Sequence, residues 1–363
     1  MSCRKQKFGV VAMDRLTKIN KILLFAVLTV TVLYFGGPFL KPFFFGVLLA
    51  SLMMPFSDFL ESKGINRVFA SIISTIVLII AIGAILTLLV FQLNQFVHEI
   101  SAFGDELKSF IADVRDRIAS LTNLSLERQS QLWQERSQEF LNNVENLITG
   151  FISDFLNFLV ELLIVMLYVI LLLLYRKKIY EFIMMYVRQE KKQDSEVVLS
   201  QINKVVGHYL WGRVQVMAVL AVMYYIAFLS FNLPYAVLIL IFATLITIIP
   251  YLGPFVSGLI PIVFAIIFFE SLSSVLIFTV IIIIIQLTES YVLEPLIIGK
   301  EVKLNPLIVI LAVITGGLIW GIAGMVLFVP LFAMVNIISK YSVGMEPISY
   351  LFATSMGDKK KKK

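Results

Sequence analysis

The sequence predicts an all-α polytopic membrane protein. About six crossing helices and two Gly/Pro-broken hairpins of re-entrant type, the hairpins in an inverted repeat, carry an extracytoplasmic helical hairpin. Three observations predict this. The 363 residues are 59% hydrophobic and only 15% charged, with mean hydropathy +0.93, whereas soluble domains are about 45–50% apolar and about 25% charged. The charges are clustered, so that 56 residues between Arg213 and Glu270 and 36 between Lys303 and Lys340 carry none. The longest apolar runs are interrupted by glycine and proline rather than by charge. Such composition excludes a cytosolic enzyme, a secreted disulfide scaffold and a disordered regulator. The single cysteine, Cys3, excludes an intrachain disulfide and a multi-thiolate metal site. The net charge of +6 reads as loop topology rather than as a nucleic-acid surface, so the lipid bilayer is the expected partner and nucleic acid is not.

A helix needs about 20 apolar residues to cross the roughly 30 Å hydrocarbon core, and backbone groups in lipid must be paired internally. Residues 1–98 hold an N-terminal tail and three crossings. Ile22–Phe35 and Phe39–Met54 form a helical pair around Gly36-Gly37-Pro38, and Val68–Val97 is one long helix. Residues 99–150 carry nine acids against five basic residues. Apolar positions recur at helical spacing on two segments joined at Leu121–Ser125, so this is the extramembrane hairpin. Residues 151–212 hold a fourth crossing, Phe151–Tyr175, then a basic amphipathic helix. Its face is Val198, Ile202, Val205, Val206 and Tyr209, and it is expected to lie on the membrane surface. Residues 213–340 form the core with the broken segments, and 341–363 a Lys-rich tail. Basic residues near the N-terminus, at Lys63 and Arg67, and over 176–208 place both termini in the cytoplasm and the acidic hairpin outside. The setting expected is the bacterial inner membrane.

Arg213–Phe231 reads as an ordinary crossing. The next stretch, Tyr235–Phe269, is 35 residues, too long for one crossing at 1.5 Å per residue. Its middle, Ile249-Pro250-Tyr251-Leu252-Gly253-Pro254, breaks a helix. Ser271–Thr288 is a crossing, followed by a polar loop with Glu289, Glu294, Lys300, Glu301 and Lys303. Asn305–Ser339 is broken again at Gly316-Gly317 and Gly321-Ile322-Ala323-Gly324. Crossing helix plus broken hairpin thus occurs twice. Paired interruptions of this kind point to a transport site near mid-membrane; the plainer reading is close helix packing at small residues.

Several motifs stand in register: Gly212-Arg213, Leu233-Pro234-Tyr235, Ile249–Pro254, Leu293-Glu294-Pro295-Leu296-Ile297-Ile298-Gly299, Leu304-Asn305-Pro306, Gly316-Gly317, Gly321–Gly324 and Val329-Pro330. Together they resemble the AI-2E (autoinducer-2 exporter) transporter family, in layout over about residues 15–340 and in specific motifs over 212–335. The resemblance implies a secondary transporter that exports an autoinducer-2-type signal or, alternatively, a Na⁺(Li⁺)/H⁺ antiporter. It also implies a homo-oligomer, a pentamer, with elevator-type movement. A non-transporting scaffold organised by the outer hairpin is the rival class. No cofactor, metal site or enzymatic motif is expected.

The residues proposed to line a solute or ion pathway are Thr244, Thr247, Pro250, Tyr251, Gly253, Pro254, Gln286, Glu289, Glu294, Gly316, Gly317 and Gly321. Thr244 and Thr247 share a face leading into the break, and Gln286 and Glu289 share a face of the next crossing. The four glycines allow close backbone approach, so the two hairpin tips are expected to meet near these polar groups. Glu289 and Glu294 also fit an interfacial role, paired with Lys300 or Lys303. Arg213 reads as a helix anchor at the interface. Glu161, with Asp154 on its face, is a coupling-ion candidate because intramembrane carboxylates are costly; a structural or intersubunit contact is the alternative.

Overall fold

The structure, a computed structural model, describes residues 17, 20, 21, 23–121, 127–298, 304–342 and 344–353. Among these there is no strand. Six helices are long and apolar enough to cross a membrane. Large apolar side chains face outward over most of their length, for example Ile80 at 64% exposure and Leu318 at 80%. That is the pattern of a protein whose outer surface is solvated by lipid.

Helix α1, Leu23–Phe35, leads into α2, Gly37–Ser62. The two were expected to be an antiparallel pair. Instead the Gly36 N–H bonds the Val32 carbonyl and the Leu40 N–H bonds the Gly36 carbonyl, both at 2.8 Å, with Gly36 in right-handed helical geometry. Pro38 occupies the first turn of α2, where its missing N–H costs little. The glycines therefore carry the chain from α1 into α2 without reversing it, where two separate crossings were expected.

Helices α3, Arg67–Leu121, and α4, Glu127–Met185, run unbroken through the boundaries expected near 98 and 150. The hairpin is an extension of two crossing helices rather than a separate unit, and its turn lies outside the described residues. Tyr168 of α4 packs on Phe39, Phe43 and Gly46, while Arg176 bonds Asp58 at 2.6 Å and Glu61 at 2.7 Å. This register makes α4 parallel to α2, with α3 returning between them. Glu61 also meets Arg67 at 3.4 Å, so one charged cluster ties three helix ends together.

After a short turn at Gln189–Lys191, α5 spans Lys192–Ser230, about 58 Å at 1.5 Å per residue. The amphipathic segment expected on the membrane surface is the first half of this helix. Its apolar face packs on protein: Val206 and Tyr209 are buried in the main core, and Val205 joins a cluster with Leu304, Ile308, Ala333 and Phe352.

The first broken segment folds back on itself. Helices α6, Ala236–Ile246, and α7, Leu252–Phe268, are antiparallel, as the contacts of Tyr235 with Phe264 and Phe268 require. Tyr251 turns the chain with φ +65°. Gly253 sits so close to the Ile246 and Thr247 backbone that any Cβ would collide with it.

Helix α8, Leu272–Thr288, does not end at the expected polar loop. It continues as a π-helical segment, Glu289–Ile298. Helix α9, Pro306–Tyr341, holds one non-helical residue, Gly321, at φ 63° and ψ −144°. There the chain reverses. Gly316 and Gly324, eight residues apart and about 12 Å apart along a straight helix, are in backbone contact, and Ile308 shares its cluster with Ala333. A last short helix, α10, Glu346–Phe352, stacks Phe352 on Phe332.

Helix α5 is the hub. It packs on α2, α6, α8, the π segment and α9, and contributes the buried, stacked pair Tyr224–Phe228. The first hairpin packs on α3, α5 and α8, whereas the second packs on α2, α5 and α10. The two hairpins thus share α5 and otherwise pack on different helices; the second ends near Trp320, whose indole donates to the Leu33 carbonyl at 2.8 Å.

Candidate functional site: a buried polar seam along α8

Three hydroxyl and amide groups meet between α5, α7 and α8. Gln286 Nε2 donates to Tyr224 Oη and to Ser257 Oγ, the latter at 2.8 Å, and the two hydroxyls lie 3.3 Å apart. Gly258 makes room, since a Cβ there would stand 3.1 Å from Gln286 Cγ. Both amide protons of Gln286 are therefore engaged, and its Oε1 is buried with no hydrogen-bond partner. This fixes the side chain as an acceptor.

One helical turn further on, Glu289 is 0% exposed, and neither carboxylate oxygen has a hydrogen-bond partner. It lies inside the candidate span Leu272–Ile298. Removing a charged carboxylate from water costs roughly several kcal/mol per ion even after relaxation, so its enclosure marks this group as a candidate site. Its charged neighbours are Arg213 and Glu294.

Arg213 was expected to anchor a helix start. It lies well inside α5, 4% exposed, and donates from Nη1 to Glu294 Oε1 at 2.6 Å, with Tyr209 beside it. Gly212 allows this meeting, because a Cβ there would stand 3.3 Å from Ile298 Cα. The Gly-Arg pair thus admits the π segment and then binds its carboxylate. Glu294 bonds Arg213; Lys300 and Lys303, the partners weighed from the sequence, lie outside the described residues.

Between α7 and α8 a groove of about 430 Å³ opens, lined by Pro254, Gly258, Ile282, Gln286, Ser290 and Tyr291 among others. It is mostly apolar with a polar floor. Thr247 turns its hydroxyl to the Thr244 carbonyl at 2.7 Å, while Thr244 Oγ1 is buried without a hydrogen-bond partner. Pro250 is buried and Tyr251 exposed at the turn.

The remaining candidates sit elsewhere. Gly316 and Gly317 shape the second hairpin, and Gly321 supplies its turn. Glu161 is exposed on α4, outside the seam; the side chain of Asp154 lies outside the described residues. Sequence reasoning missed Tyr224 and Ser257. Their signal was faint: a hydroxyl in each of two apolar runs, the serine three residues after Pro254.

With the geometry in place, comparisons agree on what the chain is similar to. The model of a family described as AI-2E family transporter matches residues 23–344. Three relatives carry the name "Putative transport protein". YrrI of Bacillus subtilis is 24% identical, over 82% of this chain and 84% of that one. MJ1177 of Methanocaldococcus jannaschii is 21% identical over 82% and 88%, and YhhT of Escherichia coli is 21% identical over 79% and 80%.

Proposed function

Because the chain belongs to the AI-2E transporter family, we propose that it is a secondary carrier coupled to protons or a monovalent cation, with Glu289 as the coupling group. One observation carries this reading: a fully buried carboxylate inside a candidate span, without a hydrogen-bond donor. Such a group is costly to keep in a membrane unless it exchanges an occupant. Na⁺(Li⁺)/H⁺ antiport is the simplest activity for it. The broken hairpins serve as re-entrant elements that bring helix ends and free backbone groups to mid-membrane. We place the end bearing Glu61, Arg67 and Arg176, with the basic 176–208 segment, in the cytoplasm of a bacterial inner membrane.

The groove favours a second reading, export of a small hydroxylated solute of the autoinducer-2 type. The exposed Ser290 hydroxyl would hydrogen-bond such a solute against apolar walls.

Purified protein in liposomes tests both. An imposed Na⁺ or Li⁺ gradient should drive proton movement read by an internal pH dye, with autoinducer-2 flux followed in parallel. Protein inert to both would overturn both readings as stated. Within an active carrier, Tyr224→Phe keeps the ring stacked on Phe228 but removes the acceptor for Gln286. Flux should fall about tenfold, which is the rate equivalent of about 1.4 kcal/mol, with little change in thermal unfolding.

A further inference from the structure

Arg213 and Glu289 are buried groups of opposite charge that make no hydrogen bond to one another. Arg213 Nε is buried with no hydrogen-bond partner, as are both Glu289 oxygens, and Arg213 is a charged neighbour of Glu289. Its Nη1 is held by Glu294. The two carboxylates are five residues apart on the π segment Glu289–Ile298. In an α-helix that spacing would splay them by about 140°. The i→i+5 bonding of a π-helix brings them toward one face, and Gly212 lets α5 press against that segment. One guanidinium therefore has two carboxylates for charged neighbours and bonds one.

We propose that Arg213 is a tethered competitor for Glu289. It rests on Glu294 while Glu289 holds its proton or monovalent cation, and it takes Glu289 as that occupant leaves. The proposal rests on the reading of Glu289 as the coupling group. Its physical basis is the cost of a bare carboxylate in a low dielectric and the five donors of a guanidinium fork, which can move between two acceptors without water. Charge counting selects the ligand class. One cationic and two anionic side chains balance with a single positive charge, which a monovalent ion or proton supplies and a divalent ion exceeds.

The test is a pair of variants in liposomes, read as the apparent KM for Na⁺ and the saturated rate of dye-reported proton movement. Glu294→Gln removes the resting partner, so Arg213 should occupy Glu289 more often. The KM should rise at least tenfold while the saturated rate stays within threefold. Arg213→Gln removes the competitor, so the KM should fall and the saturated rate should drop at least tenfold as release slows. Opposite shifts in KM support the proposal. Equal losses of rate with unchanged KM in both variants would mean a structural ion pair and overturn it, while leaving Glu289 as the coupling group. If Arg213→Gln does not fold, the KM of Glu294→Gln decides alone: an unchanged value overturns the proposal. Wild-type protein that moves protons without any Na⁺ or Li⁺ dependence, and a Glu289→Gln variant that moves them equally well, would overturn both the proposal and the reading beneath it.

Discussion

Glu289→Gln should abolish cation-dependent proton movement, by at least about a hundredfold, and leave a folded, monodisperse protein. Glutamine has the same shape, so the packing around α8 and α5 is retained. It cannot ionise, so it cannot exchange a proton for a cation. Stability should not follow activity downward. The native carboxylate is fully buried and receives no hydrogen bond, a situation that costs free energy. Thermal unfolding in detergent should therefore be unchanged or slightly higher in the variant. Loss of flux together with loss of folding would remove this evidence for a coupling role. Retained cation dependence would move that role elsewhere, and Glu161→Gln, on the exposed face of α4, is the parallel variant that would then be expected to lose it.

The largest loss of stability should follow from Gly316→Ala. A Cβ at Gly316 would overlap the Gly324 carbonyl and press to 3.0 Å on Phe328 Cγ. The colliding atoms are backbone, which cannot swing aside as a side chain can. Overpacking typically costs about 1–3 kcal/mol; a collision with the facing half of a hairpin should reach the top of that range and open the turn at Gly321. Trp320 would then lose its bond to Leu33, so release of tryptophan fluorescence from its buried environment should accompany a lower unfolding temperature. Gly83→Ala is the control. A Cβ there meets nothing within 4 Å, and replacing a mid-helix glycine should stabilise by up to about 1 kcal/mol. Equal unfolding temperatures for the two variants would sink the steric account of the second hairpin.

Much of the fold was legible because its determinants are local. Charge-free runs mark where a helix can be surrounded by lipid. The cluster Ile249–Pro254 breaks a helix wherever it stands, and the chain turns there at Tyr251. The glycines from Gly316 to Gly324 are legible for the same reason. Helix continuation was not. Gly36-Gly37-Pro38 looks like a turn, yet the i→i−4 bonds pass through it. Residues 289–298 look like a loop because they are polar and contain Pro295, yet they continue α8 with wider turns. In both places the local signal is ambiguous, and packing decides it, against Trp320 of α9 in the first and against α5 in the second.

The site divides along the same line. Gln286 and Glu289 could be put on one face from their spacing of three. Their partners could not. Tyr224 is 62 residues from Gln286 and Ser257 is 29, and Glu294 is 81 from Arg213. The sequence by itself determined that this is a membrane protein with two broken hairpins, because hydrophobic length and helix breaking depend on near neighbours along the chain. Only the tertiary structure decided which helices each hairpin packs on, that Arg213 is a buried partner rather than an anchor, and that Glu289 is enclosed without a donor. Those outcomes depend on which distant surfaces pack together, and packing of apolar faces is non-directional until the whole chain is in place.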